Sequence, residues 1–340
     1  MRPTPIHSKW HKIADPMKCN IALAVNDYHG FDNRRSMEFI DADVIKQMFT
    51  LYDTLPKYVI YDDIVKLVFE DNGPIQKSVR SMIQANVAHL PYPELMVEFT
   101  SWKEVTGEIR NKLAGFKLDG DVLPIREFVW LGENPKGHLK GAEDYPFFAQ
   151  PMTMVEPAGA KYPLLILNPN CIVGKYLLDG AHDGTNKLGL EYKAHLSPFV
   201  KYKSMTPEMR EGLRAANVKD TMWSASCAIT AIIALLRTRG VVQDRIEAPA
   251  KLNKSRAAAG KTLIRDHTVL RIGHVYDRAG NQVAYNPTGR TMPVHWRAGH
   301  VRNQRFGPQL SKSYEVFIDP MLVNYVEGDT VPVPVKEVTV

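Results

Sequence analysis

The sequence predicts an α+β fold, with a helical and mixed N-terminal part and a small basic antiparallel sheet at the C-terminus. Apolar residues recur at helical spacing in residues 41–55 and 74–88. Apolar and polar residues alternate between turn-forming residues in 267–323, which is typical of paired strands. The chain has 340 residues, 44% of them hydrophobic and 24% charged, so its composition is that of a globular protein with room for more than one core.

The N-terminal region, residues 1–135, is predicted to be mixed α/β. Its first helix covers 41–55 behind Asp41, whose side chain can cap the free amides of a helix start. The second helix begins at Pro74, because proline fits the first helical position. The segments ELMVEF (94–99) and IREFVWL (125–131) are predicted strands.

The central region, residues 136–245, follows a stretch rich in glycine and proline. It contains a predicted short strand at 162–173 with an Asn-Pro turn, and a helix at 206–216 capped by Thr206 with Pro207 at its first position. Residues 220–239 are apolar almost all round and end before Gly240. This pattern predicts a buried helix at the centre of the larger core.

Membrane insertion, secretion and disulfide bonding are not expected. The longest nearly apolar run, 225–236, is well short of the roughly 20 residues that span a bilayer, and the N-terminus lacks the apolar core of a signal peptide. Cys19, Cys171 and Cys227 are odd in number and far apart, which argues against a disulfide framework or a zinc ribbon. Cys227 is interpreted as a small core residue.

Positive charge is concentrated in one part of the chain. The formal net charge is +6, yet residues 251–312 alone carry twelve lysines and arginines against two aspartates. The rest of the chain is therefore mildly acidic. This asymmetry favours a polyanionic partner, with a solvated structural surface as the alternative.

The C-terminal region, residues 246–340, is predicted to be a basic α+β unit. A basic helix covers 249–261, and strands at 267–276, 293–301 and 313–323 form the small antiparallel sheet. The segment SRAAAGKT (255–262) ends like a phosphate-binding loop, but Ser255 replaces its first glycine and a helix precedes it. A helix that ends at Gly260 is the simpler interpretation.

Neither a metal nor another cofactor is expected. Asp179, His182 and Asp183 could converge on an ion, but Gly-Asp turn chemistry explains the same residues better. His295 and His300 are five residues apart, which is not a helical zinc spacing, and no carboxylate lies between Arg278 and Tyr314 to orient them. The two histidines are therefore not predicted to bind a metal.

The same histidines could serve as catalytic groups. One imidazole can remove a proton and another deliver one, while Arg297 stabilises the charge that grows on a phosphate. On an unbroken strand His295 and His300 would face opposite sides, so cooperation requires an irregular backbone, for which Gly299 is suited. Metal-independent ribonuclease activity with His295, His300 and Arg297 is thus one hypothesis.

Binding of an anion without catalysis does not require His295 and His300 to face the same side. Arginine offers a planar donor fork to phosphate, and Trp296 or Phe306 could stack on an unpaired base. The alternative is that the arginines form a soluble face and Trp296 belongs to the core. The predicted nucleic-acid-binding residues are Lys254, Arg256, Lys261, His295, Arg297, His300, Arg302 and Arg305.

The last hundred residues resemble a C-terminal arrangement that recurs in uncharacterised proteins of tailed bacteriophages and prophages. The likeness rests on APAKLNKSRAAAGKTLIRDHTVLRI, PVHWRAGHVRNQRFG and SYEVFIDPMLVN, with an HxRxGHxR motif, and Ala298 stands where arginine is frequent. The resemblance implies a phage-encoded protein that acts in the bacterial cytoplasm or the virion; it implies no reaction. The matching residues are Asn253, Lys254, Arg256, Gly260, Lys261, His295, Arg297, Gly299, His300 and Arg302.

Three functions follow from these observations as hypotheses. The first is a phage-encoded protein that binds RNA or single-stranded DNA through its basic C-terminal sheet. The second is the ribonuclease described above. The third is a non-enzymatic inhibitor or scaffold that docks on an acidic host protein or on a virion subunit. The expected partners are thus nucleic acid or a host or virion protein, and no membrane.

Overall fold

The computed structural model of the chain describes a set of separate segments. They are residues 20–23, 43, 54–60, 81–82, 89–104, 122–133, 147–155, 164–168, 170–176, 190–197, 200, 205–215, 224–225, 228–229, 231–238, 241–261, 263–272, 295–297 and 299–323.

Strands dominate these residues. In chain order they are β1 (Asn20–Leu23), β2 (Lys57–Ile60), β3 (Glu94–Glu104), β4 (Val122–Glu133), β5 (Phe147–Val155), β6 (Leu164–Leu167), β7 (Asn170–Tyr176), β8 (Leu190–Leu196), β9 (Val241–Ile246), β10 (His267–Ile272), β11 (His295–Arg297), β12 (His300–Phe306), β13 (Lys312–Ile318) and β14 (Met321–Val323). The helical elements are α1 (Pro207–Ala215), a π-helical segment (Ala231–Leu235), α2 (Ala250–Ala258) and a 3-10 turn (Pro308–Leu310).

Ten of the strands form one mixed sheet. Its order is β1-β6-β5-β4-β3-β2-β10-β9, and β7 pairs with the first half of β5 and carries β8 on its other side. The pairs β1 with β6, β2 with β3 and β2 with β10 are parallel, whereas the others are antiparallel. The sheet thus joins segments from both ends of the described chain.

The central strands are buried on both faces. Residues 95–100 of β3 and 127–132 of β4 are all buried, which agrees with their nearly continuous apolar sequence, since a strand covered on one side only would alternate. On one face Val97, Val129 and Ile172 pack against the apolar run that precedes β9. The described residues of that run are helical and, up to Leu235, fully buried, so a helical layer covers this face of the sheet.

The opposite face contains a close aromatic contact. Phe148 on β5 lies directly opposite Gly132 on β4, and its ring meets Trp130 edge to face with the centroids 4.9 Å apart. A Cβ atom at residue 132 would clash with the Phe148 ring. The indole of Trp130 donates a hydrogen bond to Glu94 over 3.1 Å, so its one polar atom is satisfied. Glycine is therefore needed at residue 132, because it allows the Phe148 ring to pack against the backbone of β4.

The predicted fold class is wrong. The described part of the chain is mostly β, and its N-terminal segments supply β1 to β4 of the large mixed sheet where a helical and mixed part was expected. The predicted strand at 267–276 exists as β10, but it pairs in parallel with β2 and joins the large sheet. The remaining C-terminal strands form two separate two-stranded sheets, β11 with β14 and β12 with β13.

Several local predictions are confirmed. Strands β3 and β4 contain the two predicted N-terminal strands. Helix α1 begins at Pro207, and the Thr206 hydroxyl accepts a hydrogen bond from the Met209 amide over 3.2 Å, as its capping role requires. Of the helices predicted at 41–55 and 74–88, residues 43, 54, 55, 81 and 82 are described, and all of them except Leu55 are helical. The rest of both helices lies outside the described residues.

The division into three regions stays a prediction. Strands from each of the three predicted regions join the large sheet, from β2 in the first to β10 in the last. Within the described segments, no helix is long and apolar enough to cross a membrane.

Candidate functional site

Strands β12 and β13 form an antiparallel hairpin, which we call the C-terminal hairpin (residues 300–318). His300 is opposite Ile318, and Phe306 is opposite Lys312 at the far end. The connection begins at Gly307, whose φ of 81° is accessible to glycine at little cost, and continues through the 3-10 turn with Pro308 at its start. The Gly-Pro sequence therefore explains why the chain reverses at this point.

The register assigns side chains to the two faces of the hairpin. Residues directly opposite each other in an antiparallel pair share a face, so His300, Arg302 and Phe306 lie on one face with Tyr314. The Phe306 and Tyr314 rings meet edge to face with centroids 5.4 Å apart. Arg305 lies on the opposite face, together with Val301, Asn303, Glu315 and Phe317.

Both faces of the hairpin are exposed to solvent along most of its length. Every residue from 300 to 315 is exposed except Gln304, which is half-buried. The exposed side chains include large apolar groups, with Phe306 44%, Leu310 58% and Tyr314 53% exposed. A two-stranded hairpin alone is marginally stable in water, so this one depends on its attachment to the rest of the protein.

The base of the hairpin provides that attachment. Phe317 packs against the main hydrophobic core, and the Arg237 guanidinium lies 5.8 Å from the centre of its ring. Arg237 also pairs with Asp319 over 3.1 Å. A Cβ atom at Gly299 would approach the Phe317 ring to 2.7 Å and Pro320 to 2.9 Å. A side chain at residue 299 would therefore require Phe317 or Pro320 to move. The strand is interrupted at this point, because β11 ends at Arg297 and β12 begins at His300.

The hairpin carries three cations, Arg302, Arg305 and Lys312, that the described part of the chain does not neutralise. Arg302, Arg305 and Lys312 are exposed, and none of them takes part in an ion pair with another described residue. Arg302 instead donates a hydrogen bond to the Gln304 side-chain oxygen. The only carboxylate on the hairpin is Glu315. The hairpin therefore presents a net positive, partly apolar surface.

Helix α2 carries the second group of predicted site residues. No side chain of this helix is buried, and Lys254 is exposed, whereas Arg256 is half-buried. The Asn253 amide nitrogen donates to the Ile264 carbonyl over 2.7 Å, and the Asn253 amide oxygen accepts from the Ile264 amide over 2.9 Å. Asn253 thereby attaches α2 to the segment before β10 through both backbone hydrogen-bonding groups of Ile264.

The segment SRAAAGKT is a helix end, as predicted, and not a phosphate loop. Gly260 has a φ of 61°, and its amide donates to Ala257 while the Lys261 amide donates to Arg256, over 3.0 and 2.8 Å. These two bonds make a Schellman C-cap. Because the cap uses both amides, they cannot cradle a phosphate.

The predicted site residues therefore lie on different elements. Lys254 and Arg256 belong to α2, and Lys261 follows its cap; Arg297 is an exposed residue of β11. His300, Arg302 and Arg305 lie on the hairpin, with Arg305 on the face opposite the other two. The side chain of His295 lies outside the described residues, and its cooperation with His300 stays a prediction.

Metal binding and cysteine chemistry receive no support from the described residues. No three His, Cys, Asp or Glu side chains among them group together as metal ligands, and residues 179–183 lie outside the described part. The Cys171 thiol is fully buried and donates towards the His195 carbonyl over 3.5 Å. Burial raises the pKa of this thiol, which disfavours the reactive thiolate.

We expect Cys171 to react with iodoacetamide at pH 8 at least about a hundredfold more slowly in the native protein than in urea. The folded structure both excludes the reagent and raises the pKa of the thiol. Mass spectrometry of the peptide containing Cys171, sampled over time, gives the two rates. Equal rates would contradict the burial of this residue.

The apolar part of the hairpin was not predicted from the sequence. Phe306 was considered only for base stacking, and Leu310 and Tyr314 were not singled out. The Gly-Pro pair at 307–308 was the available signal, because a turn at that point brings Tyr314 close to Phe306. Leu310 is the most exposed of these side chains.

An exposed hairpin that combines arginines with aromatic residues is typical of proteins that act by binding a partner. Comparison with known families gives a specific assignment: residues 74–325 match the AcrVA2-like family, the anti-CRISPR type V subtype A2 family. The chain belongs to this family. Anti-CRISPR families are associated with phages and prophages, so the predicted phage origin is confirmed, whereas the HxRxGHxR motif as a family signature stays a prediction. No curated protein and no solved structure matches the chain.

Proposed function

We propose that the protein inhibits a type V CRISPR-Cas system of its bacterial host without catalysis, by docking on an acidic surface of a host protein. Membership of the anti-CRISPR family makes the protein a phage-encoded inhibitor. The docking hypothesis is supported by the exposed cations of the C-terminal hairpin, which form no ion pair with another described residue: Arg302, Arg305 and Lys312. The inhibitor acts in the host cytoplasm, where its target is made.

The charge distribution favours this mode of action. Cations that have no internal ion pair keep their full interaction with an approaching carboxylate, which steers the encounter and fixes the orientation of the complex. Tyr, Phe and Arg are also the residues enriched at the centres of protein interfaces. Physical occupation of an effector surface is sufficient for inhibition, so no reaction has to be assigned to His295 or His300.

Nucleic-acid binding is a second candidate, favoured by α2 more than by the hairpin. Lys251, Lys254 and Lys261 are exposed there, and the chain contains no acidic residue from 248 to 265. Binding by this route would weaken steeply with salt, because each neutralised phosphate releases counterions. The same lysines equally suit a solvated helix face. The ribonuclease hypothesis remains a prediction.

We expect expression of the protein to restore plaque formation by a phage that a type V CRISPR-Cas system targets. The variant Arg302→Glu/Arg305→Glu should lower this protection about tenfold or more, because attraction to carboxylates becomes repulsion. Lys251→Glu/Lys254→Glu on α2 is the matched control, with the same change in charge on another element, and should protect like the wild type.

Plaque counts at equal protein levels, measured by immunoblot, decide between the candidates. Loss of protection in the α2 variant alone would favour nucleic-acid binding over docking. No protection by the wild-type protein against any type V system would contradict the proposed function itself.

A further inference from the structure

The tip of the C-terminal hairpin carries an apolar group that the protein itself does not cover. Phe306, Leu310 and Tyr314 are all about half exposed. Phe306 is the last residue of β12, Leu310 lies in the five-residue turn that follows, and Tyr314 is the third residue of β13. Most exposed apolar residues of proteins stand alone, whereas exposed apolar side chains that lie together are typical of a binding site. Here the exposed Phe306 and Tyr314 rings are in contact, and Leu310 lies in the turn between their strands. Arg302 and Lys312 lie on the same face of the hairpin as Phe306 and Tyr314, and Arg305 lies on the other face.

The backbone of the tip is unusual. Gln309 and Leu310 have φ values of 54° and 55°, so two successive residues with a Cβ atom occupy the left-handed region. This conformation costs free energy and tends to occur at sites of function. In the free protein it is not offset by burial of the side chain, because Leu310 is the most exposed large apolar residue among those described. A partner that buries Leu310 would provide the compensation.

We propose that the hairpin tip inserts into an apolar pocket, rimmed by carboxylates, on a protein of the host type V CRISPR-Cas system. This inference rests on the proposed function and names the contact that performs it. Phe306, Leu310 and Tyr314 fill the pocket. Arg302, Arg305 and Lys312 pair with the carboxylates at its rim, since an aromatic and aliphatic centre within a charged periphery is the usual anatomy of an interface.

Two other occupants fit the tip less well. A nucleic acid would use aromatic faces for base stacking, but the Phe306 and Tyr314 rings are inclined at 73° and pack on each other, and Leu310 has no ring to stack. A second copy of the chain would bring two hairpins with the same excess of positive charge together, which opposes self-association. A pocket with acidic edges is complementary both to the positive charge and to the apolar surface of the hairpin tip.

The test measures binding of the full-length protein to a purified type V effector protein without guide RNA, by biolayer interferometry. We expect Leu310→Ser and Phe306→Ala each to weaken binding about tenfold or more. Leu252→Ser and Tyr92→Ala are matched controls, because these residues are 49% and 46% exposed on other parts of the chain. Both controls should bind like the wild type. Circular dichroism spectra establish that each variant is folded.

Each outcome has a defined meaning. Weaker binding by the tip variants, with unchanged controls and a parallel loss of phage protection, supports the proposal. Equal binding by tip variants and wild type overturns the role of the hairpin while leaving the inhibitor function intact. A wild-type protein that protects phage but does not bind the effector overturns docking on that protein. Gel filtration of the wild type as a stable dimer that Leu310→Ser dissociates would assign the tip to self-association and also overturn the proposal.

Discussion

Replacing Phe148 with alanine is expected to lower the free energy of unfolding by about 3–5 kcal/mol. Phe148 is 1% exposed and is among the largest fully buried side chains described. The substitution removes its contact with Trp130 and uncovers Gly132, which has no side chain to fill the space. The midpoint of urea denaturation, followed by tryptophan fluorescence and circular dichroism, measures the change.

Phe306→Ala is the matched control for this prediction. It deletes the same atoms from an exposed position, so its effect on stability should be within about 0.5 kcal/mol. A similar midpoint for both variants would contradict the packing described for β4 and β5. The control also establishes that changes at the hairpin tip report on binding and not on unfolding.

Replacing Asn253 with alanine is expected to cost about 1–3 kcal/mol of local stability and to release α2. The variant loses both hydrogen bonds to Ile264, whose backbone is part-buried and would be left without those partners. Because a helix of this length with no buried side chain is not stable alone, the loss should extend over residues 250–261. Hydrogen–deuterium exchange of peptides from this segment should become faster.

Lys254→Ala provides the comparison within the same helix. It removes a cation but neither hydrogen bond of Asn253, so exchange at 250–261 should stay at the wild-type rate. Unchanged exchange in the Asn253 variant would show that other contacts hold the helix. Comparison of the two variants also distinguishes the contribution of the charge of α2 from the contribution of its attachment to Ile264.

Local structure could be predicted from local sequence. The strand at 94–99, the helix start at Thr206 and the helix end at Gly260 each depend on a few adjacent residues with strong conformational preferences. At the two helix ends the hydrogen bonds also form within the same short segment. The pattern was therefore sufficient to identify them.

The fold class could not be predicted in the same way, because periodicity indicates which face of a strand is buried but not which strand lies beside it. The segment His267–Ile272 was recognised as a strand, and only its neighbours, β2 and β9, were missed. Tyr58 of β2 pairs with Thr268 of β10, which is 210 residues further along the chain (268 minus 58). Local sequence patterns contain no information about a pairing over such a separation.

The candidate site was predicted in part. The excess of positive charge near the C-terminus was evident from composition, and Arg302 and Arg305 are indeed exposed. The grouping of Phe306 with Tyr314 depends on the hairpin register, and the exposure of Leu310 depends on the backbone of the turn. Neither could be read from residue types alone.

The position of β2 between β3 and β10 has a consequence for biosynthesis. The ribosome completes residues 57–60 long before residues 267–272, so β2 has one unsatisfied edge until most of the chain has been translated. Pairing over such a separation is slow, and open edges recruit strands of other chains into aggregates. Premature termination before β10 would leave that edge permanently open, so we expect such a truncated chain to aggregate more readily than the full-length chain.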